Sequence, residues 1–231
     1  MKPVGGFFAL ELPAAGAAYH DARSALVSGR ACLRRILAAL KPKRATIPFF
    51  LCDTALQAFG SEGVAVEFYD LDDSLQPVLH GEGNPGDVIL YVNYFGLQAA
   101  DVAEFVAARR DTVVVDDTHA YFERGHHGTW SFNSARKWFG VPDGAFVFGG
   151  DLGLDAAPAN TSPRIDHLVT ALSDDRQRAF EQYRESEAAV SDRFLSMSPL
   201  TARLLASIDH NHVRRARTRS EEHTSELQSH H

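Results

Sequence analysis

Apolar residues in this chain follow two spacings, and the switching between them predicts the fold. Val113-Val114-Val115 follows Thr112 with no polar residue between, and Val88-Ile89-Leu90-Tyr91-Val92 is equally unbroken. Runs of that length without polar alternation suit strands covered on both faces, as in the parallel sheet of an α/β protein. Thr46 to Leu51 and Val64 to Tyr69 predict two further strands. Elsewhere the spacing is helical. Ala31, Leu33, Ile36, Leu37 and Leu40 share one face of a helix capped by Ser28 and ended before Pro42. Asp53 to Gly60 predicts a short helix, and Val102, Phe105 and Val106 mark another between Ala99 and Arg109. Strand and helix thus alternate repeatedly, which predicts an α/β fold with a mostly parallel central sheet and flanking helices.

The less regular stretches carry narrower expectations. Pro48 points to an edge or a bend for its strand, since proline cannot donate to a ladder. Phe49 and Phe50, as neighbours in a strand, are expected on opposite faces, with at least one of them in the core. Phe7 to Leu12 reads as a short strand or an extended arm, and Asp70 to Gly86 as a polar excursion of turns. From Ser162 the chain becomes helical, with Ile165, Leu168, Val169 and Leu172 on one stripe and no further strand pattern.

Composition narrows the partners. The 231 residues are 45% hydrophobic with a net charge of −7, which predicts one large soluble domain with a real core and no basic field for nucleic acid. Cys32 and Cys52 fit neither a disulfide framework nor a zinc spacing, so a reducing cytoplasm is expected. No signal-peptide core and no bilayer-length apolar run is present, so no membrane partner is expected.

Chemistry concentrates between Thr112 and Gly150. Asp116 closes an apolar strand, and ligands of parallel sheets gather at such carboxyl ends. His119 follows three residues later, then a Gly-containing loop, the pair Ser131-Phe132, Lys137, and Asp143-Gly144-Ala145 before another apolar strand. This order resembles the pyridoxal-phosphate (PLP) enzymes of the DegT/StrS sugar-aminotransferase family, a fold type I group. The resemblance implies that Lys137 bonds the cofactor covalently, that Asp116 holds the pyridinium nitrogen, and that His119 lies beside the ring. It further implies that a serine before the lysine binds the phosphate, Ser131 in preference to Ser134, and that an aromatic such as Phe50 stacks on the ring. Asn93 and Tyr94, at the end of a strand, are expected near the substrate; a plain strand-to-helix turn accounts for them equally well.

Ser28-Gly29 opens the helix at Ala31, and the backbone N–H groups and dipole of a helix start suit a phosphate dianion. The resemblance assigns it that role; a simple cap is the competing reading. Gly125-His126-His127-Gly128 lies near Asp116 and His119 and raises a metal-dependent hydrolase as a third function, although adjacent histidines in a loop are more often solvated. A binding or regulatory protein that keeps the cofactor pocket without turnover is the second.

Residues 219–231 resemble the in-frame translation of a sequencing-library adapter and are set aside as a non-native tail. The family resemblance then covers residues 4–218, the large cofactor-binding domain with the start of its connection to a small C-terminal domain. It implies that the parent protein is a homodimer transferring an amino group from an amino acid to a keto-sugar, expected to be nucleotide-linked; the chain as given is expected to be poorly soluble and to show no appreciable turnover even if Lys137 takes up PLP.

Overall fold

The valine run at 113–115 forms the middle of a strand that helices cover on both sides. The computed structural model describes residues 10–21, 25–81, 83–150, 160–189 and 194–217. In chain order the elements are β1 (Ala25–Leu26), α1 (Gly29–Leu40), β2 (Arg44–Pro48), α2 (Asp53–Ser61), β3 (Ala65–Leu71), β4 (Pro77–Val78), β5 (Val88–Val92), α3 (Val102–Ala107), β6 (Thr112–Asp116), β7 (Trp130–Phe132) and β8 (Ala145–Phe148). They are followed by α4 (Asp166–Leu172), α5 (Arg176–Ala188) and α6 (Pro199–Ala206). The sheet has eight strands in the order β1-β8-β7-β6-β5-β2-β3-β4. Its middle five, β7-β6-β5-β2-β3, run parallel, while β8, β1 and β4 pair antiparallel at the two ends.

Successive side chains on these strands divide between two cores. Leu90, Val92, Val114 and Phe132 pack with Leu33, Ile36 and Leu37 of α1 and Phe59 of α2. Ile89, Tyr91, Val113 and Val115 form the opposite layer with Val102 of α3. The unbroken apolar runs of β5 and β6 therefore follow from having a layer on each side. Ser28 caps α1 as expected, its hydroxyl accepting from the Ala31 N–H at 3.1 Å.

Pro48 marks a bend and not an edge: the chain bends at Phe49 and Phe50 directly after it. β2 lies inside the sheet, between β5 and β3, and Pro48 is its last residue. The β5 ladder uses only Ala45 and Thr46, so the missing N–H breaks no bond on that side. Beyond Pro48 the chain leaves the sheet, and strand alternation no longer governs Phe49 and Phe50. Both are exposed, at 75% and 64%, and neither enters the core. Residues 10–12 form no strand, and 7–9 lie outside the described residues, as do 218–231 with the tail.

The C-terminal segment is helical apart from one bridge, Leu26 to Ser196. It docks on the Asp143-Gly144 turn. Ser198 donates to Asp143 Oδ1 through its N–H at 3.2 Å and its hydroxyl at 3.1 Å, and Asn160 Nδ2 donates to Oδ2 at 2.7 Å. Gly144 has φ +109°, and a Cβ there would meet Met197 Sδ at 2.8 Å and Thr201 Cγ2 at 2.9 Å. Gly144→Ala is thus expected to destabilise the fold by ~1–3 kcal/mol, read as a lowered midpoint in thermal or urea unfolding. An unchanged midpoint would mean that α6 is not seated on this turn. Along α4 most of the stripe expected from sequence faces outward: Ile165, Val169 and Leu172 are exposed, while Leu168 is half-buried.

Candidate active site

Three adjacent parallel strands place one residue each at the same level of the carboxyl edge. Val92 of β5 is paired with Asp116 of β6, and Asp116 with Phe132 of β7. In-register neighbours project to the same face, so all three point toward the N-terminus of α1. A cavity of about 480 Å³ lies there, within the range of small-ligand sites. Its walls come from the start of α1 (Ser28, Gly29, Arg30), the loop after β2 (Phe50, Cys52), the loop after β5 (Tyr94, Phe95), the end of β6 (Asp116, Thr118, His119), the segment after β7 (Ser134, Arg136, Lys137) and α5 (Tyr183, Glu187).

Asp116 is buried, and one carboxylate oxygen accepts the Thr118 N–H at 2.9 Å. Burial pushes its pKa up to about 6; the Asp117 charge adds to this, while the Thr118 hydrogen bonds and the Lys137 charge oppose it. It is a carboxyl group able to hold or release a proton near neutrality. His119 is pushed the other way, by burial first and by Lys137 second, and so carries a neutral imidazole. Its Nδ1 is buried without a hydrogen-bond partner. The Phe95 ring lies against it, 5.7 Å between centroids and 13° between planes. Phe95 adopts φ 56°, and Gly96 follows at φ +74°, where a Cβ would come within 3.0 Å of the His119 carbonyl oxygen. A left-handed non-glycine residue costs about 1–3 kcal/mol, which the fold accepts to set this ring over His119. Lys137 ends a 3-10 turn, Ala135–Lys137, that follows β7.

The structure separates the remaining sequence candidates. Ser131 pairs with Val115, lies on the face away from Asp116, and is fully buried with its hydroxyl unpartnered. It does not line the cavity, and Ser134 does. The preference for Ser131 is thus reversed, because the 3-residue β7 fixes Phe132, not its neighbour, on the cavity face. Asn93 also fails to reach the site. It is fully buried, donating to Asp117 at 2.9 Å and accepting the Gln98 N–H at 3.0 Å. Tyr94 does line the cavity, but its hydroxyl donates to the Phe50 carbonyl, so it presents its ring. Phe50 stacks on that ring at 5.7 Å. Ser28 and Gly29 both border the cavity; Ser28 serves as cap and wall together.

His126 is not solvated: its Nε2 meets Asp117 Oδ2 at 2.8 Å. Asp116 and His119 line the cavity and His126 does not, being paired with Asp117 instead, so Asp116, His119 and His126 do not converge. No group of three or more His, Cys, Asp or Glu among the described residues could hold a metal ion. No described helix is long and apolar enough to cross a membrane.

Wall residues that sequence reasoning missed include Phe95, Thr118, Arg136, Tyr183 and Glu187. Arg136 is ion-paired with Glu187 of α5 and lies 5.8 Å over the Tyr183 ring. Tyr183 and Glu187 are four apart on a helix, which puts them on one face. Their adjacency to Lys137 in space had no local signal.

No protein-family model and no curated protein matches the chain. Solved structures do. A Burkholderia pseudomallei protein described as a candidate aminotransferase superimposes with TM-score 0.50 at 15% identity, over 84% of this chain and 56% of its own. The chain shares the fold of that protein. Other proteins to which it is similar include a sugar aminotransferase of Micromonospora echinospora (TM-score 0.48, 19% identity, 55% of this chain and 41% of that). Another is the GDP-4-keto-6-deoxy-D-mannose-3-dehydratase of E. coli, with bound hydrated PLP (0.45, 16%, 55% and 39%). The chain spans about half the length of these proteins.

Proposed function

We propose that this chain carries the cofactor-binding half of a PLP-dependent aminotransferase. The observation that supports the reading most is the meeting of Lys137, Asp116 and His119 at one cavity on the carboxyl edge of an aminotransferase-fold sheet. The residues fit the cofactor. Asp116, with its pKa near 6, can share a proton with a ring nitrogen, and His119 and Phe95 offer flat surfaces beside a ring. Ser28, Gly29 and the N-terminus of α1, with Ser134 opposite, suit a phosphate dianion.

When bound, PLP supplies an electron sink for bonds at the amino-bearing carbon. Asp116 would face the ring nitrogen and favour its protonated form from a buried position. Lys137 would hold the cofactor through its Nζ, and its amine would carry the proton at the substrate carbon. Phe50, Tyr94 and Phe95 exclude water from the ring face. The amino donor is an amino acid and the acceptor a keto-sugar, nucleotide-linked, a reading that rests on the Thr112 to Gly150 sequence resemblance; the parent protein acts as a homodimer in the cytoplasm.

The test is covalent. The chain contains only four lysines, Lys2, Lys41, Lys43 and Lys137, and Lys41 and Lys43 sit before β2 at the opposite edge of the sheet. Added PLP is expected to develop visible absorbance, and borohydride followed by peptide mapping to place the label on Lys137. A label on another lysine, or none, rejects the reading.

A further inference from the structure

Asp117 adjoins Asp116, and the proposed chemistry gives it no part. It follows directly on β6, its side chain is fully buried, and it does not line the cavity. Each of its oxygens meets a separate partner: Asn93 Nδ2 donates to Oδ1 at 2.9 Å, and His126 Nε2 to Oδ2 at 2.8 Å. Asn93 accepts the Gln98 N–H at 3.0 Å, and Gln98 Nε2 donates to the Ser74 and Leu75 carbonyls at 3.1 and 2.9 Å. The backbone is tied at the same place, with the Asn93 N–H donating to the Asp116 carbonyl at 3.0 Å and the Asp117 N–H to the Phe132 carbonyl at 2.8 Å. One carboxylate therefore joins the end of β6 to the end of β5 and to the loop carrying His126.

We propose that Asp117 and His126 are positioning residues for the cofactor site: from outside the cavity the pair holds the Asp116 carboxylate in place and balances the negative charge next to it. The proposal rests on the PLP reading above. Asp117 is the next residue along the chain and its N–H is fixed on the Phe132 carbonyl at 2.8 Å, so Asp116 cannot move toward or away from the cavity without disturbing Asp117 on its two donors. A buried carboxylate that loses one donor keeps its charge without compensation, which makes that displacement costly. Charge acts in the same direction. Asp117 raises the pKa of Asp116, so a cation on Asp117 limits how far that carboxyl is driven from ionisation. Burial disfavours the His126 cation, but the hydrogen bond and charge of Asp117, with the charge of Glu123, outweigh it and hold the imidazole above its usual value. The outer groove beside His126 is lined by Arg124 and His127. Nothing in the cavity touches His126, so its influence passes through Asp117.

The experiment compares the wild-type chain with His126→Leu and His126→Gln by PLP titration and by ¹³C NMR titration of the Asp116 carboxyl without cofactor. Wild type is expected to bind PLP, with an Asp116 midpoint at about 6. His126→Leu is expected to weaken PLP binding about tenfold, as for partners in one buried network, and to shift the Asp116 midpoint upward. His126→Gln keeps a donor for Asp117 but no charge; it is expected to recover affinity to within about threefold of wild type while its midpoint stays raised. A merely structural histidine would leave that midpoint alone. Wild-type affinity and midpoint in folded His126→Leu overturn the proposal; if that variant does not fold, an unmoved midpoint in His126→Gln does so. Absence of PLP binding by wild type removes the functional reading and this inference together, whereas the variant outcomes bear on the inference alone.

Discussion

Replacing Lys137 with alanine is expected to abolish the borohydride-fixed label and to lower any amino-transfer rate by ~10²–10⁴-fold, the range for loss of a positioned proton-transfer group. Lys137→Arg is expected to fail equally, because a guanidinium neither attaches to the cofactor nor gives up a proton near neutrality. The fold should not notice. Lys137 is exposed in the cavity at the end of a 3-10 turn, and its removal is expected to change stability by no more than about 0.5 kcal/mol. That separation makes the test clean: lost label with an unchanged unfolding midpoint indicts the amine itself. A Lys137→Ala chain that retains the label or its rate would end the assignment.

Asp116→Asn is expected to do two opposite things, weakening the cofactor site and stabilising the folded chain. In the folded state the carboxyl has a pKa of about 6 against an ordinary 3.8. Between those values the folded state binds more protons than the unfolded state, so the group favours folding increasingly as pH falls through 6 and gains nothing more below 3.8. Above 6 the buried charge is a burden of roughly 3 kcal/mol, since each tenfold change in proton affinity on folding is worth ~1.4 kcal/mol. An asparagine still accepts the Thr118 N–H and carries no charge. The variant is therefore expected to unfold at a higher denaturant concentration than wild type at about pH 8, the gap closing as pH is lowered from 6 to 3.8. PLP should bind it more weakly, since a neutral amide does not hold a proton on the ring nitrogen. If the variant is less stable than wild type at alkaline pH and binds PLP unchanged, Asp116 is a structural residue only.

Much of the layout was legible in the residues. Unalternated runs such as Val88–Val92 have one physical explanation in a chain that also carries amphipathic helices, a sheet covered twice, and β5 and β6 have a layer on each side. The expectation failed where it assumed a strand would continue. Phe49 and Phe50 were assigned to opposite faces of a strand that ends at Pro48, and a boundary one or two residues early removes the alternation on which such assignments depend. Ser131 failed for a related reason. Both serines before Lys137 are plausible by composition, and only the pairing of Val115 with Ser131 turns that side chain away from Asp116.

The sequence by itself determined the parallel sheet, the carboxylate at the end of its valine-run strand, and the one lysine between Thr112 and Gly150. Those features are local, written in periodicity and residue type over a dozen positions. Tertiary structure decided which neighbours share a face. Asp116 lines the cavity because β6 is held in register between β5 and β7, whereas Asp117 is buried against Asn93 and His126. It also decided that Tyr183 and Glu187, some 50 residues after Arg136 in the chain, close the site beside Lys137. Such contacts arise from packing across the sheet edge, where sequence separation carries no signal and only the path of the folded chain brings the groups together.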